Sequence, residues 1–462
     1  MFRLLLLFFI ISTVSCVSFK PNVEVNHFDN ISVGNNSLYS FETAWWNEFQ
    51  DNKLSNFIST AFKENFDILE AIKRLEQANY ILKTYKADRY PAIDLNSSAG
   101  YERRDFKNSN AISLEDYSLG LTLSYELDLF GKIRSYVEKS RYDLLVNREN
   151  IKTAMLSISS QIGITYFNII STNEKIKIAE DELEYNRALV EIVSRKYSNG
   201  SVSITDLLKQ MQNIENVKKT IEALKLERDV LINKLKILIN TKEAITIEKR
   251  YLSETNKLDF DKIDLSIAKY RPDINSAYYE VESAAWDVSA AEANRFPRLS
   301  LSASYTFSSD EISEIFDNWA ANLTANLLAP IFDANKRKNE ALKSKKYLEE
   351  KVIAYKKILT TAYNEIAEYI IRENNLFNQI DMLKYEIDLL INTVEKQKIK
   401  YFNGEEDFSI FLNDQISLYA RMREYSDMKY EILANRINFY KAIGGPWIES
   451  EYKNVKLEKI NE

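Results

Sequence analysis

Few residues of this chain are of a type that does covalent or metal chemistry. The 462 residues include one cysteine, Cys16, and one histidine, His27. A single copy of each cannot form a metal cluster, a Ser-His-Asp or Cys-His catalytic arrangement, or a disulfide. Carboxylates remain available for acid/base catalysis, but no spacing singles out a pair of them. We therefore predict that the protein is not an enzyme and uses no cofactor.

The chemistry that Cys16 favours is attachment of a lipid. Arg3 precedes an apolar run, residues 4–11, that is too short to span a membrane and is typical of a secretory signal. The run leads to Thr13-Val14-Ser15-Cys16, which resembles a bacterial lipobox, where the cysteine is lipidated and becomes the first mature residue. The sequence thus predicts a signal peptide over 1–15 and a lipid-anchored lead segment over 16–50. The alternative is an ordinary signal with an incidental thiol.

Composition predicts a mainly helical, acidic protein. The chain has 28% charged residues but only 9 glycines and 6 prolines, so residues that break helices are scarce. Its formal net charge of −7 and the absence of a basic block argue against binding to nucleic acid.

Two very long helices are predicted, over 132–197 and 336–401. Neither run contains a proline, and the first has a single glycine, Gly163. At 1.5 Å per residue each helix reaches about 100 Å, far more than an ordinary globular helix. The first run stops at Lys196 to Gly200 and the second at Lys400 to Gly404, with four of five residues identical. The chain is therefore predicted to consist of two repeats.

A switch to period-two alternation precedes each long helix. Leu119, Leu121 and Leu123 alternate with Gly120 and Thr122, which predicts strands with one apolar and one polar face. The predicted β-hairpins cover 93–129 and 299–331, with charged loops at 102–116 and 308–318. Strand lengths and terminal aromatic residues are typical of a transmembrane β-barrel, whereas a soluble sandwich alternates in the same way. Because four strands are too few to close a barrel, several chains would have to share one.

The remaining segments complete the repeats. Amphipathic helices are predicted before the hairpins, at 66–89 and 273–295, and return helices after the tip turns. The predicted organisation is a first repeat over 51–240 with return helix 203–240, an equatorial linker over 241–271, a second repeat over 272–443 with return helix 407–442, and a C-terminal tail over 444–462.

Several motifs together resemble one family, the outer membrane efflux proteins of the TolC and OprM type, and favour its lipoprotein branch. The motifs are Arg89-Tyr90-Pro91 with its echo Arg295-Phe296-Pro297, Leu129-Phe130-Gly131-Lys132, Arg271-Pro272-Asp273-Ile274, the two Lys-Tyr-x-Asn-Gly turns and Ile443-Gly444-Gly445-Pro446-Trp447. The match covers about residues 40 to 448. It implies a homotrimer with a shared 12-stranded barrel in the outer membrane lipid and a twelve-helix tunnel across the periplasm. It also implies two partners, a periplasmic adaptor protein and an inner-membrane pump.

The resemblance places adaptor contacts and a gate at the two tips. The implied adaptor-contact residues are Lys196, Tyr197, Asn199, Gly200, Lys400, Asn403 and Gly404. The predicted gate residues are Asp206, Tyr401, Glu405, Glu406, Asp407, Asn413 and Asp414. In the family an aspartate after the first turn is locked to a tyrosine and an arginine around the second. Asp206 and Tyr401 match, but Glu406 stands in place of the arginine and Ile410 in place of an inward aspartate.

From these departures we predict an electronegative mouth at the tips that favours cations, because a ring of carboxylates concentrates them. The alternative is a set of helix N-terminal acids that the macrodipole stabilises. For the whole chain we predict an exit duct for drugs or other small toxic molecules. The alternatives are a duct for exported proteins or peptides and a structural coiled-coil protein of the envelope.

Overall fold

Helices make up most of the chain, and four strands form one sheet, which confirms the predicted mainly α class with a small β part. The structure is a computed structural model that describes residues 20–22, 43–105, 107, 112–258 and 270–460. The helices are α1 (Asn52–Glu64), α2 (Phe66–Ala87), α3 (Lys132–Ser198), α4 (Ile204–Ile239), α5 (Pro272–Ala293), α6 (Lys336–Asn403), α7 (Phe408–Ile443) and α8 (Trp447–Ile460). The strands are β1 (Ala92–Arg104), β2 (Ile112–Leu127), β3 (Arg298–Ser309) and β4 (Trp319–Leu328). Short 3-10 helices lie at Trp45–Phe49 and Ile312–Glu314.

The long helices α3 and α6 contain 67 and 68 residues and begin where the sequence predicts. The helices before the hairpins end two residues early, and both endings use the same geometry. After α2, Arg89 N–H donates to the Lys86 carbonyl at 3.2 Å; after α5, Arg295 N–H donates to the Glu292 carbonyl at 3.1 Å. These hydrogen bonds span three residues, whereas those of an α-helix span four. The last turn tightens in this way because the proline two residues further on disfavours helical geometry in the residue before it.

Among the described residues, no helix has an apolar window long enough to cross a membrane.

The chain divides into two compact units, and each unit contains segments of both sequence repeats. One unit comprises 1–27, 73–149 and 274–358, and the other comprises 28–72, 150–273 and 359–462, as far as these are described. The sequence repeats are therefore not the compact units. Each repeat contributes strands to the first unit and a tip turn to the second.

In the first unit, all four strands pair antiparallel in the order β1-β2-β3-β4. The β2–β3 pairing, from Tyr117↔Ser309 to Leu127↔Leu299, joins the hairpin of one repeat to that of the other. One row of partners across the sheet is mostly apolar: Leu95, Leu121, Tyr305 and Ala321. The next row is polar: Asp94, Thr122, Ser304 and Asn322. Because successive side chains point to opposite faces, these rows lie on the two faces of the sheet.

The predicted charged loop over 102–116 is wrong at both ends. Glu102 pairs with Leu114 and Arg104 with Ile112, so the strands continue into the charged stretch. Arg104 Nε donates to Glu102 Oε1 at 2.8 Å. Exposed charged side chains are compatible with a strand. A prediction from charged composition alone therefore ended the strands of the hairpin too early.

Helix α5 packs closely in the first unit through small residues. Ala284, Ala285 and Ala290 are at most 1% exposed. Ser289 Oγ accepts a hydrogen bond from Ser135 Oγ of α3 at 2.9 Å, and Asp287 Oδ2 accepts one from Ser344 Oγ of α6 at 2.9 Å. Short side chains allow this close approach of helices.

In the second unit, the linker and the tail pack against the N-terminal region. Asp51 caps α1, accepts a hydrogen bond from Tyr166 Oη at 2.9 Å and lies 3.4 Å from Lys249 Nζ of the linker. Trp447 of α8 contacts Trp46 edge-on, with ring centroids 5.1 Å apart. The sequence pattern did not indicate α8, since the tail has no clear apolar period. Residues 259–269 of the linker lie outside the described residues.

Gly163 marks the tightest contact in the second unit. A Cβ at this position would overlap Cη2 of Trp45 and lie 3.1 Å from Cδ1 of Ile437. Trp45 is 3% exposed and is held edge-on by Trp46, so it has no free space into which to move.

We expect Gly163→Ala to destabilise the protein by about 1–3 kcal/mol through overpacking. Thermal unfolding followed by circular dichroism measures the effect. Gln161→Ala, at an exposed position of the same helix, is the control and should leave the midpoint unchanged. Equal midpoints for the two variants would contradict the close packing of Trp45.

Candidate functional site

The first tip turn closes α3 with a glycine in the left-handed region. Gly200 has φ = 70°. Its N–H donates to the Tyr197 carbonyl at 2.9 Å, and Ser201 N–H donates to the Lys196 carbonyl at 2.8 Å. These bonds satisfy carbonyls at the end of the helix that would otherwise lack a partner.

The second turn repeats this geometry at the end of α6. Gly404 has φ = 78°, its N–H donates to the Tyr401 carbonyl at 3.1 Å, and Glu405 N–H donates to the Lys400 carbonyl at 2.9 Å. A Cβ on either glycine would meet no atom within 4 Å. Glycine is therefore needed for its positive φ and not for space. Tyr197, Asn199 and Asn403 are exposed around the turns.

Acidic residues cap the helices that follow the turns. Ser203 and Asp206 form a capping box at the start of α4, with Ser203 N–H donating to Asp206 Oδ2 at 3.3 Å. Asp407 caps α7 and accepts a hydrogen bond from Ser409 N–H at 2.8 Å. The hydroxyl and the amide of Ser409 hold the pKa of Asp407 below its usual range. Both carboxylates therefore stabilise their own helices, as the alternative interpretation of these acids predicts.

Lys196 connects the two turns, whereas its counterpart Lys400 does not. Lys196 Nζ donates to the Phe402 carbonyl at 3.1 Å. It also lies 4.7 Å from the ring centroid of Phe402 and 5.1 Å from that of Tyr401. Lys400 is exposed and reaches Glu406 only at 4.0 Å. Sequence reasoning missed this difference because the two lysines occupy the same position in nearly identical motifs.

Tyr401 lies in the apolar core of the tips. Its ring stacks on Phe411 with an interplanar angle of 8° and contacts Phe408 at a centroid distance of 5.1 Å. The core residues are Leu189, Val193, Val394, Tyr401, Phe408, Phe411 and Leu412. Tyr401 is 5% exposed, and its hydroxyl has no hydrogen-bond partner among the described residues. Burial and then the nearby Asp206 carboxylate raise the pKa of Tyr401 to about 12. The predicted pair is therefore close, but the described structure does not join it by a hydrogen bond.

Next to this core lies a cluster of buried amides that sequence reasoning also missed. Asn186 Oδ1 on α3 accepts hydrogen bonds from Gln210 at 2.8 Å, Asn213 at 3.0 Å and Gln415 at 3.0 Å. All four residues are at most 6% exposed. The cluster connects α4 and α7 to α3. Because a buried amide without a hydrogen-bond partner costs free energy, only the arrangement that pairs these amides is favourable. A detectable signal was the amide spacing of Gln210 and Asn213, which places both on one face of α4.

The other predicted gate residues lie on the surface near the second turn. Glu405 is exposed and accepts a hydrogen bond from Asn403 at 3.3 Å. Glu406 and Asp414 are half-buried, and Asn413 is exposed. In the described part of the chain, no three His, Cys, Asp or Glu side chains are arranged to hold a metal ion. Cys16 lies outside the described residues, so its predicted lipidation stays a prediction.

Three comparisons relate this geometry to known proteins. The family model described as "Outer membrane efflux protein" matches residues 57–241 and 266–445. The probable outer membrane lipoprotein SilC of Salmonella typhimurium is 26% identical over 465 residues, which cover 97% of this chain and 100% of SilC. The cation efflux system protein CusC of Escherichia coli O157:H7 is 25% identical over 419 residues, covering 89% of this chain and 90% of CusC. The crystal structure of the Campylobacter jejuni CmeC outer membrane channel superposes with a TM-score of 0.84 at 24% identity, covering 96% of this chain and 99% of CmeC.

The unpartnered hydroxyl of Tyr401 gives a sharp test of how the tips are held. Tyr401→Phe should leave the tips as stable as in the wild type, since removing a buried hydroxyl without a partner costs nothing. Tyr401→Ala should destabilise them by about 3–5 kcal/mol, because it leaves a cavity between Phe408 and Phe411. Hydrogen–deuterium exchange of the amides in 400–412 measures both effects. Faster exchange in Tyr401→Phe would show that the hydroxyl is hydrogen-bonded and that packing is not what holds the tip.

Proposed function

The chain belongs to the outer membrane efflux protein family, and from this we propose that it is the outer membrane channel of a tripartite efflux system. In this role it is a passive exit duct for drugs or other small toxic molecules across the outer membrane and the periplasm. The observation that carries the proposal is the family match to both repeats, each of which contributes a two-faced hairpin and a tip turn.

The sheet supports a barrel that three chains share. Strands β1 and β4 are the outer strands of the sheet, and each pairs with a single neighbour among the described residues. Open edges in lipid would leave backbone groups without partners, so each edge would pair with the sheet of another chain. Three chains with four strands each give twelve strands, and the number three comes from the family resemblance. The apolar face, which includes Leu121, would contact outer membrane lipid, and the face with Thr122 would line the lumen.

The tips support contact with a periplasmic adaptor protein, which would link the channel to an inner-membrane pump. The proposed contact residues are Lys196, Tyr197, Asn199, Gly200, Lys400, Asn403 and Gly404. Most of them are exposed, and the two turns have the same backbone geometry. One adaptor element would thus fit either turn. Lys196 is the exception, since its ammonium group already bridges the turns.

A cation-favouring entrance is proposed for the same tips. Its residues are Asp206, Tyr401, Glu405, Glu406, Asp407, Asn413 and Asp414. In a trimer three copies of each acid would face one opening, and Asp407 stays ionised because Ser409 lowers its pKa. Packing around Tyr401 would hold this entrance shut, in place of the family's arginine lock. A preference for cations also agrees with the name of CusC, which is a cation efflux protein.

Two other functions are distinguishable from this one. An exit duct for proteins or peptides would have the same fold and a different pump, which the genes next to this one would identify. A structural coiled-coil protein of the envelope would give no conductance in a planar bilayer.

Cys16 is proposed to carry lipid that anchors the mature N-terminus in the outer membrane.

The assignment of the two sheet faces can be tested by introducing arginine at neighbouring positions. Leu121→Arg should cost about 2–4 kcal/mol and reduce assembly, because arginine is unfavourable against the bilayer midplane. Thr122→Arg is the matched control and should assemble normally, since its side chain would point into the lumen. The amount of heat-resistant oligomer on a gel measures assembly. Equal yields of the two variants would show that the faces are assigned incorrectly.

Ion selectivity tests the entrance and the duct together. In planar bilayers across a KCl gradient, we expect the wild type to conduct and to show a cation-selective reversal potential. Glu406→Arg with Asp407→Asn should shift the potential toward zero or increase the conductance, because it removes negative charge at the opening.

The control is Glu222→Arg with Asp229→Asn, which makes the same change in net charge on exposed positions of α4 and should leave selectivity unchanged. Anion preference in the wild type would contradict the proposed entrance. Absence of any conductance in the wild type and in the double mutant alike would contradict the duct itself.

A further inference from the structure

A buried carboxylate on α5, that of Glu282, accepts a hydrogen bond from the side chain of Lys20 in the N-terminal segment. Glu282 is 8% exposed, and its Oε2 lies 2.6 Å from Lys20 Nζ. The two residues are 262 positions apart in the sequence. A carboxylate with so little contact with water needs a cationic or hydrogen-bonding partner. Lys20 supplies this partner from outside the helical repeats.

Aromatic rings complete the surroundings of the Lys20 ammonium group. Its Nζ lies 5.4 Å from the ring centroid of Trp286 and 6.0 Å from that of Tyr142. Tyr142 and Tyr278 also face Glu282: burial, and after it the Glu282 charge, raises the pKa of both phenols. A carboxylate beside aromatic faces is a favourable site for an ammonium ion, because the ring faces are electrostatically negative. We call Glu282, Trp286, Tyr142 and Tyr278 the ammonium site.

The sequence around Lys20 suits docking at a fixed place. Pro21 follows Lys20 and restricts its backbone to extended conformations, which reduces the entropy lost on docking. Lys20 comes four residues after Cys16, so the two Cα atoms are at most about 14 Å apart. Along α5, the distance from Glu282 to the last residue, Ala293, is about 17 Å, and β3 begins five residues later at Arg298. Four extended residues can therefore span most of the distance from Lys20 to the end of α5, and the acyl chains of a lipid on Cys16 would have to cover the remainder to the start of the sheet.

We propose that the ammonium site is a docking site for Lys20 that holds the mature N-terminal segment on α5 and keeps Cys16 close to the base of the sheet. The second half of this statement depends on the proposed lipidation of Cys16. The first half does not, since the contact between Lys20 and Glu282 is independent of any lipid. Docking would limit the anchor to one position beside the barrel, where it would otherwise move on a free tether.

Spin-label mobility at residue 22 tests the docking. Residues 1–15 are replaced by a signal that an ordinary signal peptidase removes, and Cys16→Ser makes Asn22→Cys the only thiol of the full-length mature chain. Asn22 is exposed, so the label should not disturb the fold. We expect a nitroxide there to be immobilised and to become several-fold more mobile in Lys20→Ala or Glu282→Gln. The charge exchange Lys20→Glu with Glu282→Lys should restore part of the immobilisation.

The matched control is Glu280→Gln, which removes a carboxylate two residues away on α5 that binds Lys351 at 2.8 Å. It should leave the label immobilised. A mobile label in the parent protein, or equal mobility in the parent and in Lys20→Ala, would overturn the docking. Lys20→Ala leaves α5 unaltered, so its result does not depend on whether Glu282→Gln folds.

Lipidation is measured separately on the unaltered chain. Cys16 is the only cysteine of the sequence, so the wild type should incorporate labelled fatty acid when the cells are grown with it, and the purified protein should not react with maleimide after denaturation. Reaction with maleimide would overturn the position proposed for the lipid anchor and leave the docking of Lys20 standing. Fatty acid on Cys16 together with a mobile label at residue 22 would overturn the docking alone.

Discussion

The pairing of β2 with β3 is the interaction on which the sheet of this protein depends. A two-stranded hairpin is marginally stable by itself, and each repeat supplies only one. Eleven successive residue pairs between β2 and β3 join the hairpins into a four-stranded sheet with continuous faces. Because side chains alternate strictly, the register of this one pairing decides which residues of both repeats share a face. The same sheet leaves β1 and β4 as outer strands, and the shared barrel that we propose rests on that constraint.

The two tips show how one local motif acquires two roles. The same backbone hydrogen bonds and positive φ angles occur in both turns, because they depend only on the five residues of each motif and the residue that follows it. Side-chain contacts differ, because the elements beside the turns differ. Lys196 finds the Phe402 carbonyl and two rings, whereas Lys400 remains exposed. A duplicated sequence can therefore give a surface with repeated shape and unequal chemistry.

Polar groups hold this region in place as specifically as its apolar core. The amides around Asn186 and the capping bonds of Asp206 and Asp407 all lie close to Tyr401 in the chain's tip region. Apolar packing alone tolerates sliding of one helix along another, while buried amides lose their hydrogen bonds when the register changes. The tips thus combine a core that excludes water with polar contacts that fix the helices. In the entrance that we propose for these tips, Glu406 stands at the position of the family's arginine, and packing around Tyr401 would take the place of the lock.

The sequence alone determined the class of elements and most of their limits. Long runs without proline predicted α3 and α6, the Asn-Gly pairs predicted the turns, and the alternation of apolar and polar residues predicted the strands. Each of these features depends on neighbours within a few residues. The family followed from motifs in a fixed order. Tertiary structure alone decided the β2–β3 register, the division into two units, helix α8, the bridge from Lys196, the amide cluster and the contact of Lys20 with Glu282. These involve partners dozens to hundreds of residues away, and local pattern contains no information on which distant residue a side chain meets. Sequence reasoning missed the extension of β1 and β2 through charged residues for the same reason. Pairing with the neighbouring strand stabilises a strand conformation that the charged composition alone disfavours.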